Sequence, residues 1–90
     1  MKKYIFTSHA VKQLFSRSIS RNEVVNVVES GEIIKDYPDD KPYASKIILG
    51  FVGLRPLHVV VAESDLEIII ITAYEPDSTV WSEDFKRRNI

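Results

Sequence analysis

The sequence predicts one α+β domain with two N-terminal helices, a four-stranded, largely antiparallel sheet and a short C-terminal helix. Apolar residues recur at helical spacing in the first third of the chain. Short apolar runs separated by turn residues then indicate strands, and a final capped segment indicates the last helix. Ninety residues leave room for a single core, so we expect residues 1–90 to form one domain.

The first helix is predicted to begin at Thr7 or Ser8, because either hydroxyl can cap it. Its apolar positions follow helical spacing and are Ala10, Val11, Leu14 and Phe15. The polar residues His9, Gln13 and Arg17 recur every four residues and therefore form one stripe along the helix.

The second helix is predicted from a capping box, in which Ser20 and Glu23 each bond the other's backbone amide. Its apolar positions are Val24, Val25, Val27 and Val28. Gly31 is a natural residue to end this helix. Ahead of both helices, the apolar lead-in Tyr4-Ile5-Phe6 either pairs as an edge strand or simply packs.

Four strands are predicted after the helices, at Glu32–Tyr37, Ser45–Val52, Arg55–Glu63 and Leu66–Tyr74. A polar loop from Pro38 to Pro42 follows the first strand. Gly53-Leu54 and Ser64-Asp65 are suited to two-residue turns, which makes the last three strands an antiparallel meander. The last two strands are apolar on both faces, so we expect helices on one face and partial cover on the other.

The last predicted element is a short helix capped by Ser78 or Thr79. Its apolar residues are Val80, Trp81 and Phe85. It ends in Lys86-Arg87-Arg88, and basic residues suit a helix C-terminus.

Composition restricts the function classes. The net charge is −1 and the isoelectric point about 6.1, so phosphate binding would require a local basic patch. The chain has no cysteine, and its two histidines are far apart in sequence, so we expect no metal and no cofactor. The lack of cysteine and of a long apolar segment favours a cytoplasmic protein without a membrane partner.

The two histidines are the first candidates for proton transfer, because this side chain titrates near neutral pH. His9 lies at a helix start, where it either packs as an ordinary first-turn residue or serves as a base. His58 lies in the most apolar run of the chain. It is either a structural histidine bonded to a backbone carbonyl or to Tyr74, or a catalytic histidine near Arg55.

Short motifs in a fixed order run through nearly the whole chain. The first half carries Ser8-His9-Ala10, Arg17 and Ile19-Ser20, and the second half carries Tyr37-Pro38, Gly50, Arg55–Val60, Ile71–Pro76 and Trp81. From Phe6 to Arg88 this combination resembles the bacterial domain-of-unknown-function family 4258. Many relatives carry arginine where this chain has Gln13, and glycine where it has Ser18.

The resemblance implies a RelE-like α+β fold akin to the RelE/ParE and BrnT toxins, in the broader barnase-like nuclease group. It implies an endoribonuclease toxin of the mRNA-interferase type, with RNA as substrate and an antitoxin protein as partner. In metal-independent RNA cleavage, a base removes the ribose 2′-OH proton, the 2′ oxygen attacks the adjacent phosphate, and an acid protonates the leaving 5′ oxygen.

Under this hypothesis the catalytic candidates are His58 and His9, with Tyr74 as orienting group or auxiliary acid. Arginine or lysine would stabilise the charge that develops on the phosphate. The candidate phosphate- and RNA-binding residues are Arg17, Arg55, Lys46, Arg87 and Arg88.

Two other functions are open at this point. In the first, the chain is a non-catalytic domain that keeps the toxin-like fold and binds a protein partner through a sheet edge or the helix pair. In the second, it binds nucleic acid without chemistry, which the acidic isoelectric point supports poorly.

Overall fold

Two helices pack on one face of a five-stranded sheet in the computed structural model, which describes residues 2–89. The helices are α1 (Ser8–Ser16) and α2 (Arg21–Ser30). The strands are β1 (Lys3–Phe6), β2 (Glu32–Tyr37), β3 (Ser45–Val52), β4 (Arg55–Glu63) and β5 (Glu67–Tyr74). Their order across the sheet is β1-β5-β4-β3-β2. No helix in this part of the chain is long and apolar enough to cross a membrane.

The prediction of a four-stranded sheet is wrong, because the lead-in Tyr4-Ile5-Phe6 belongs to a fifth strand. β1 pairs in parallel with β5, in the register Lys3↔Glu67 to Phe6↔Ile70, so the sheet is mixed. A parallel neighbour cannot be joined by a tight turn. No local turn signal therefore marks this pairing, which brings together residues more than sixty positions apart in the chain.

The other four strands form the antiparallel meander. Gly53 and Leu54 make the turn between β3 and β4, and Gly53 has a φ of 63°, a value that glycine adopts without strain. The next turn differs by one residue from the prediction. The Ser64 amide donates to the Glu67 carbonyl at 3.0 Å, so Asp65 and Leu66 occupy its centre and β5 starts at Glu67.

Side-chain caps fix where both helices begin. The Thr7 hydroxyl accepts a bond from the Ala10 amide at 3.0 Å, and both halves of the Ser20–Glu23 capping box are present. The core lies between the helices and one sheet face. Its buried residues are Ala10, Leu14, Ile19, Val24, Val27, Ile48, Leu57, Val59, Val61, Ile70 and Ala73.

The predicted C-terminal helix is wrong. Residues 75–89, here named the C-terminal strap, contain turns and one isolated bridge between Trp81 and Arg88. The Asp77 carboxylate accepts bonds from both the amide and the hydroxyl of Thr79, which fixes a turn instead of a helix start. The chain then folds back on itself, and Phe85 has a φ of 61°. The apolar spacing that predicted a helix instead serves to pack the strap against the sheet.

The strap covers part of the sheet face that the helices leave open. Successive residues of a strand point to opposite faces, so Leu57 and Val59 face the helices while His58 points away from them. The Trp81 ring lies edge-to-face on His58, with ring centroids 4.4 Å apart. Both side chains are thereby buried.

Ser18 has a φ of 56°, in the left-handed region that disfavours any residue with a Cβ. Replacing Ser18 with glycine is therefore expected to raise the free energy of unfolding by about 0.5–1 kcal/mol. Urea denaturation would measure this as a higher midpoint at an unchanged slope. Ser16→Gly, the same change at a helical position, is the control and is expected to destabilise the protein. An equal loss at both positions would contradict the strain at Ser18.

Candidate functional site

Four of the residues singled out in the sequence lie together at one end of the sheet. Arg17 follows the last residue of α1, and Tyr74 ends β5. Arg55 begins β4, and His58 lies three residues further along the same strand. His58 is paired directly with Tyr74 across the two strands. Hydrogen bonds join His58 to Tyr74 and Arg55 to the Arg17 carbonyl. The two arginines also bond Ala73 and Glu75, the residues on either side of Tyr74.

His58 is fully buried and both of its ring nitrogens are bonded. Nε2 lies 2.7 Å from the Phe85 carbonyl oxygen, and Nδ1 lies 3.2 Å from the Tyr74 hydroxyl. A carbonyl oxygen only accepts, so Nε2 carries the proton and the neutral Nδ1 accepts from Tyr74. Burial lowers the pKa of His58, and the bond to the Phe85 carbonyl opposes this only in part. With the strap in place, His58 can reach a substrate only through Tyr74.

Tyr74 is partly exposed and bonded to buried His58. Burial raises the pKa of its hydroxyl. The charge of Arg88 lowers that pKa, the Tyr37 phenol raises it, and the charge of Arg17 lowers it, in decreasing order of effect. Both guanidinium groups therefore act electrostatically on this hydroxyl. These positive charges favour a negative charge on the Tyr74 oxygen, but burial is the larger effect and the pKa of Tyr74 stays raised.

The Arg17 guanidinium joins α1 to the end of β5. Its Nη1 donates to the Ala73 carbonyl at 2.9 Å, and to the Thr72 hydroxyl and the Gln13 side-chain oxygen at 3.3 Å each. The Thr72 hydroxyl also donates to Gln13. Within residues 2–89 these contacts use Nη1, so Nη2 and Nε can donate to a ligand. Arg17 is exposed enough for such a ligand to reach it.

Arg55 is engaged through all three nitrogens. Nε donates to Glu75 at 2.9 Å, while Nη1 and Nη2 donate to the carbonyls of Ser18 and Arg17 at 3.1 and 3.0 Å. These are carbonyls at the end of α1, which its own helix leaves without a partner. Arg55 therefore fixes the backbone of Arg17, and three of its five N–H groups are already bonded within the protein.

The remaining predicted site residues lie elsewhere. His9 is exposed in the first turn of α1, eight residues and about 12 Å along the helix from Arg17. Lys46 pairs with Glu63 at 2.7 Å, and Arg87 lines a cavity of about 580 Å³ within the strap. Of His9, Lys46, Arg87 and Arg88, only Arg88 is among the groups that shift the pKa of Tyr74. In residues 2–89, no group of three or more His, Asp or Glu side chains is placed to hold a metal.

The sequence did not identify the partners that give these residues their roles. Phe85 contributes a backbone carbonyl, which no sequence pattern specifies, and the strap that carries it was predicted as a helix. Thr72 and Gln13 are 59 positions apart, so their bond depends on how α1 meets β5. The one usable signal was Tyr74, which was expected on the strand next to His58 as one of its possible bonding partners.

Comparison with known proteins identifies the family to which this chain belongs. A search of curated proteins and a search of solved structures each find no match. The family model described as Domain of unknown function (DUF4258) matches residues 6–75, which is 70 of the 90 residues. The matched range contains both helices, β2 to β5, Arg17, Arg55, His58 and Tyr74, and it ends at the first residue of the strap. This chain belongs to the DUF4258 family.

Proposed function

We propose that this protein is a metal-independent endoribonuclease of the toxin type, in which Tyr74 transfers the proton and Arg17 and Arg88 hold the phosphate. One observation carries the proposal. The Tyr74 hydroxyl is bonded to the buried His58 Nδ1 while the charges of two arginines act on it. This arrangement offers a proton acceptor and anion stabilisation at one partly exposed oxygen.

The proton path starts at the ribose 2′-OH. Tyr74 donates its own proton to His58 Nδ1, which leaves the phenolic oxygen free to accept the 2′-OH proton. The 2′ oxygen then bonds to phosphorus, the bond from phosphorus to the 5′ oxygen breaks, and the 5′ oxygen takes a proton from solvent water. His58 afterwards returns its proton through Tyr74 to the hydroxide left in the solvent. The products are a 2′,3′-cyclic phosphate and a 5′-hydroxyl end.

The free-energy cost of this proton path is compatible with the activation barrier of a slow enzyme. Moving a proton from tyrosine to histidine at their ordinary pKa values costs about 5 kcal/mol. Burial of both groups increases that cost, and the charges of Arg88 and Arg17 reduce it by stabilising the phenolate. One turnover per second corresponds to a barrier of about 17 kcal/mol. The proton transfer therefore uses only part of the barrier of a slow enzyme.

In this proposal His58 and Arg55 have roles that differ from those expected from the sequence. His58 acts through Tyr74, because it is fully buried. Arg55 is a positioning residue for Arg17, because its three nitrogens are bonded to Glu75 and to the end of α1. His9 and Lys46 have no part in the chemistry.

The experiment is cleavage of a labelled single-stranded RNA by the purified protein in excess EDTA. Fragments ending in a 2′,3′-cyclic phosphate are the expected products, because the attacking oxygen comes from the ribose itself. Inhibition of growth on expression of the protein would support the toxin role, and its relief by one co-expressed protein would identify the antitoxin. RNA that stays intact at all pH values between 6 and 9 would overturn the proposal.

Replacing Arg88 with glutamine is expected to lower kcat/KM for RNA by about 10²-fold, the usual effect of removing one group that stabilises a developing anion. The neighbouring Arg87→Gln is the matched control, because it removes the same charge from an exposed side chain that is not among the groups acting on the pKa of Tyr74. We expect it to change kcat/KM by less than about fivefold, as for one exposed charge. Equal effects of the two substitutions would show a general charge effect and would exclude Arg88 from the site.

A protein-interaction role is the second candidate, and exposed apolar side chains at the same end of the molecule favour it. Phe15 is 89% exposed and Leu54 is 99% exposed. Arg55 bonds the carbonyls at the end of α1, which brings the β3–β4 turn and Leu54 to the end of α1 that carries Phe15. Scattered apolar residues are normal on protein surfaces, so this observation weighs less than the Tyr74 cluster.

A further inference from the structure

The C-terminal strap is attached to the sheet at His58, through an ion pair of Lys86 with Glu32 of β2 at 3.0 Å, and through the Phe85 ring, which lies edge-to-face with Phe51 of β3. Its Phe85 carbonyl accepts the His58 Nε2 proton at 2.7 Å, and its Trp81 ring packs edge-on against the His58 ring. Within the strap, the Asn89 side chain donates to the Trp81 carbonyl at 3.1 Å, which holds the end of the strap against Trp81. Apart from its first residue, Glu75, the strap lies outside the range that matches the family. Its attachment therefore includes a buried titratable side chain that belongs to the sheet.

We propose that the strap is a pH-sensitive latch, held closed by neutral His58 and released in mild acid while the helices and sheet stay folded. A second proton on the His58 ring would give a positive charge in a fully buried position. Such a charge is stable only with a nearby anion or with water. Opening the strap admits water to the ring without disturbing the core on the other face of the sheet.

The groups that face His58 offer no anion. From β5 it meets the Tyr74 hydroxyl, which can rotate to accept from a protonated Nδ1 but carries no charge at neutral pH. From β3 its cross-strand partner is Leu49, and from the strap it meets the Trp81 ring and the Phe85 carbonyl. Arg88 adds positive charge beside Tyr74. Within residues 2–89, no carboxylate is bonded to the ring.

The direction of the pH dependence follows from burial. Burial lowers the pKa of His58 in the closed state, whereas an exposed ring in the open state has its ordinary pKa of about 6.5. The latch is therefore fully closed above about pH 6.5 and weakens as the pH falls below this value. Between the open-state and closed-state pKa values, the ratio of closed to open protein falls about tenfold per pH unit.

Two carboxylates inside the strap titrate in a separate range. Thr79 donates backbone and side-chain bonds to Asp77, and these bonds hold the pKa of that carboxyl below its ordinary value. Ser82 and the Lys86 amide do the same for Asp84. Both groups stay ionised until the pH is below about 4. These two carboxylates therefore do not account for a transition between pH 4 and 6.5, and the His58→Gln variant tests its assignment to His58.

Trp81 is the only tryptophan of the chain and reports directly on the latch. Between pH 7.5 and 4.5 its fluorescence is expected to shift to longer wavelength in one sigmoidal step with a midpoint below 6.5. Far-UV circular dichroism is expected to keep its sheet signal over the same range. Hydrogen exchange of the wild-type protein, corrected for the intrinsic effect of pH, is expected to lose protection in residues 75–89 and to keep it in β4.

His58→Gln and His9→Gln form a matched pair of variants. Glutamine at position 58 keeps a donor for the Phe85 carbonyl but cannot titrate, so the fluorescence step should disappear, whereas His9→Gln should keep it. A step that survives His58→Gln, or one that coincides with loss of the sheet signal, would overturn the latch. If His58→Gln does not fold, the wild-type exchange pattern decides, because loss of protection spread through β4 would also overturn it.

Release of the strap would also carry Arg88 away from Tyr74. Weaker RNA binding in mild acid therefore follows, and this consequence rests on the proposed function. The fluorescence and exchange measurements contain no RNA, so the latch and the ribonuclease proposal can fail separately.

Discussion

Replacing Tyr74 with phenylalanine is expected to lower kcat for RNA cleavage by about 10²- to 10⁴-fold, the range that a positioned proton-transfer group contributes. That loss corresponds to about 3–5 kcal/mol of barrier. KM is expected to change little, because Arg17 and Arg88 keep their positive charges in the variant. Steady-state kinetics on one labelled oligonucleotide would separate the two parameters.

The fold should survive this substitution. Phenylalanine keeps the ring that lies edge-to-face with His58, at a centroid distance of 5.3 Å, and removes only the donor to Nδ1. One lost hydrogen bond costs about 1 kcal/mol. Tyr43→Phe is the control, since Tyr43 is an exposed residue of the loop between β2 and β3 and lies outside the cluster. Full activity in Tyr74→Phe would remove Tyr74 from the mechanism.

Replacing Gly31 with alanine is expected to reduce the free energy of unfolding by about 3 kcal/mol or more, which is at or above the upper end of overpacking costs. A Cβ at Gly31 would lie 2.5 Å from the carbonyl oxygens of both Leu49 and Val27 and 2.7 Å from Ile48 Cγ2. Two of these three contacts are backbone atoms, so a side-chain rotation cannot relieve them. The loss is large beside the about 5–15 kcal/mol that stabilises a typical domain.

Gly53→Ala is the matched control for the role of glycine. A Cβ at Gly53 meets nothing within 4 Å, but its φ of 63° is strained for alanine, so the expected cost is about 1 kcal/mol. Chemical denaturation of both variants at one pH gives the comparison. If Gly31→Ala cost no more than Gly53→Ala, the close approach of α2 to β3 would not be the reason for glycine at position 31.

The elements that the sequence predicted correctly are those whose signals are local. Thr7 caps α1, the capping box of Ser20 and Glu23 begins α2, and Gly53 with Leu54 forms the β3–β4 turn. Each of these depends on hydrogen bonds or backbone angles within about four residues, so the pattern contains the whole cause. Gly31 was correctly placed at the end of α2, although the reason lies in its contact with β3.

The elements that the sequence predicted wrongly are decided by partners distant in the chain. β1 exists because β5 offers its edge, and the strap bends because Trp81 and Phe85 pack against His58. The apolar spacing of the strap fits a helix equally well, and only the uncovered sheet face favours the observed path. In both cases tertiary contacts outweigh local propensity.

For the site, the sequence by itself determined which side chains are present and that His58 lies in the most apolar strand. It also offered Tyr74, on the neighbouring strand, as one possible partner of His58. The direct pairing of the two residues depends on the shifted turn and on the irregularity between Val60 and Val61. Only the tertiary structure decided that His58 is buried under the strap and that Arg55 is committed to the end of α1. Burial and charge interactions depend on the summed surroundings of a group in space, and sequence spacing specifies only its own element.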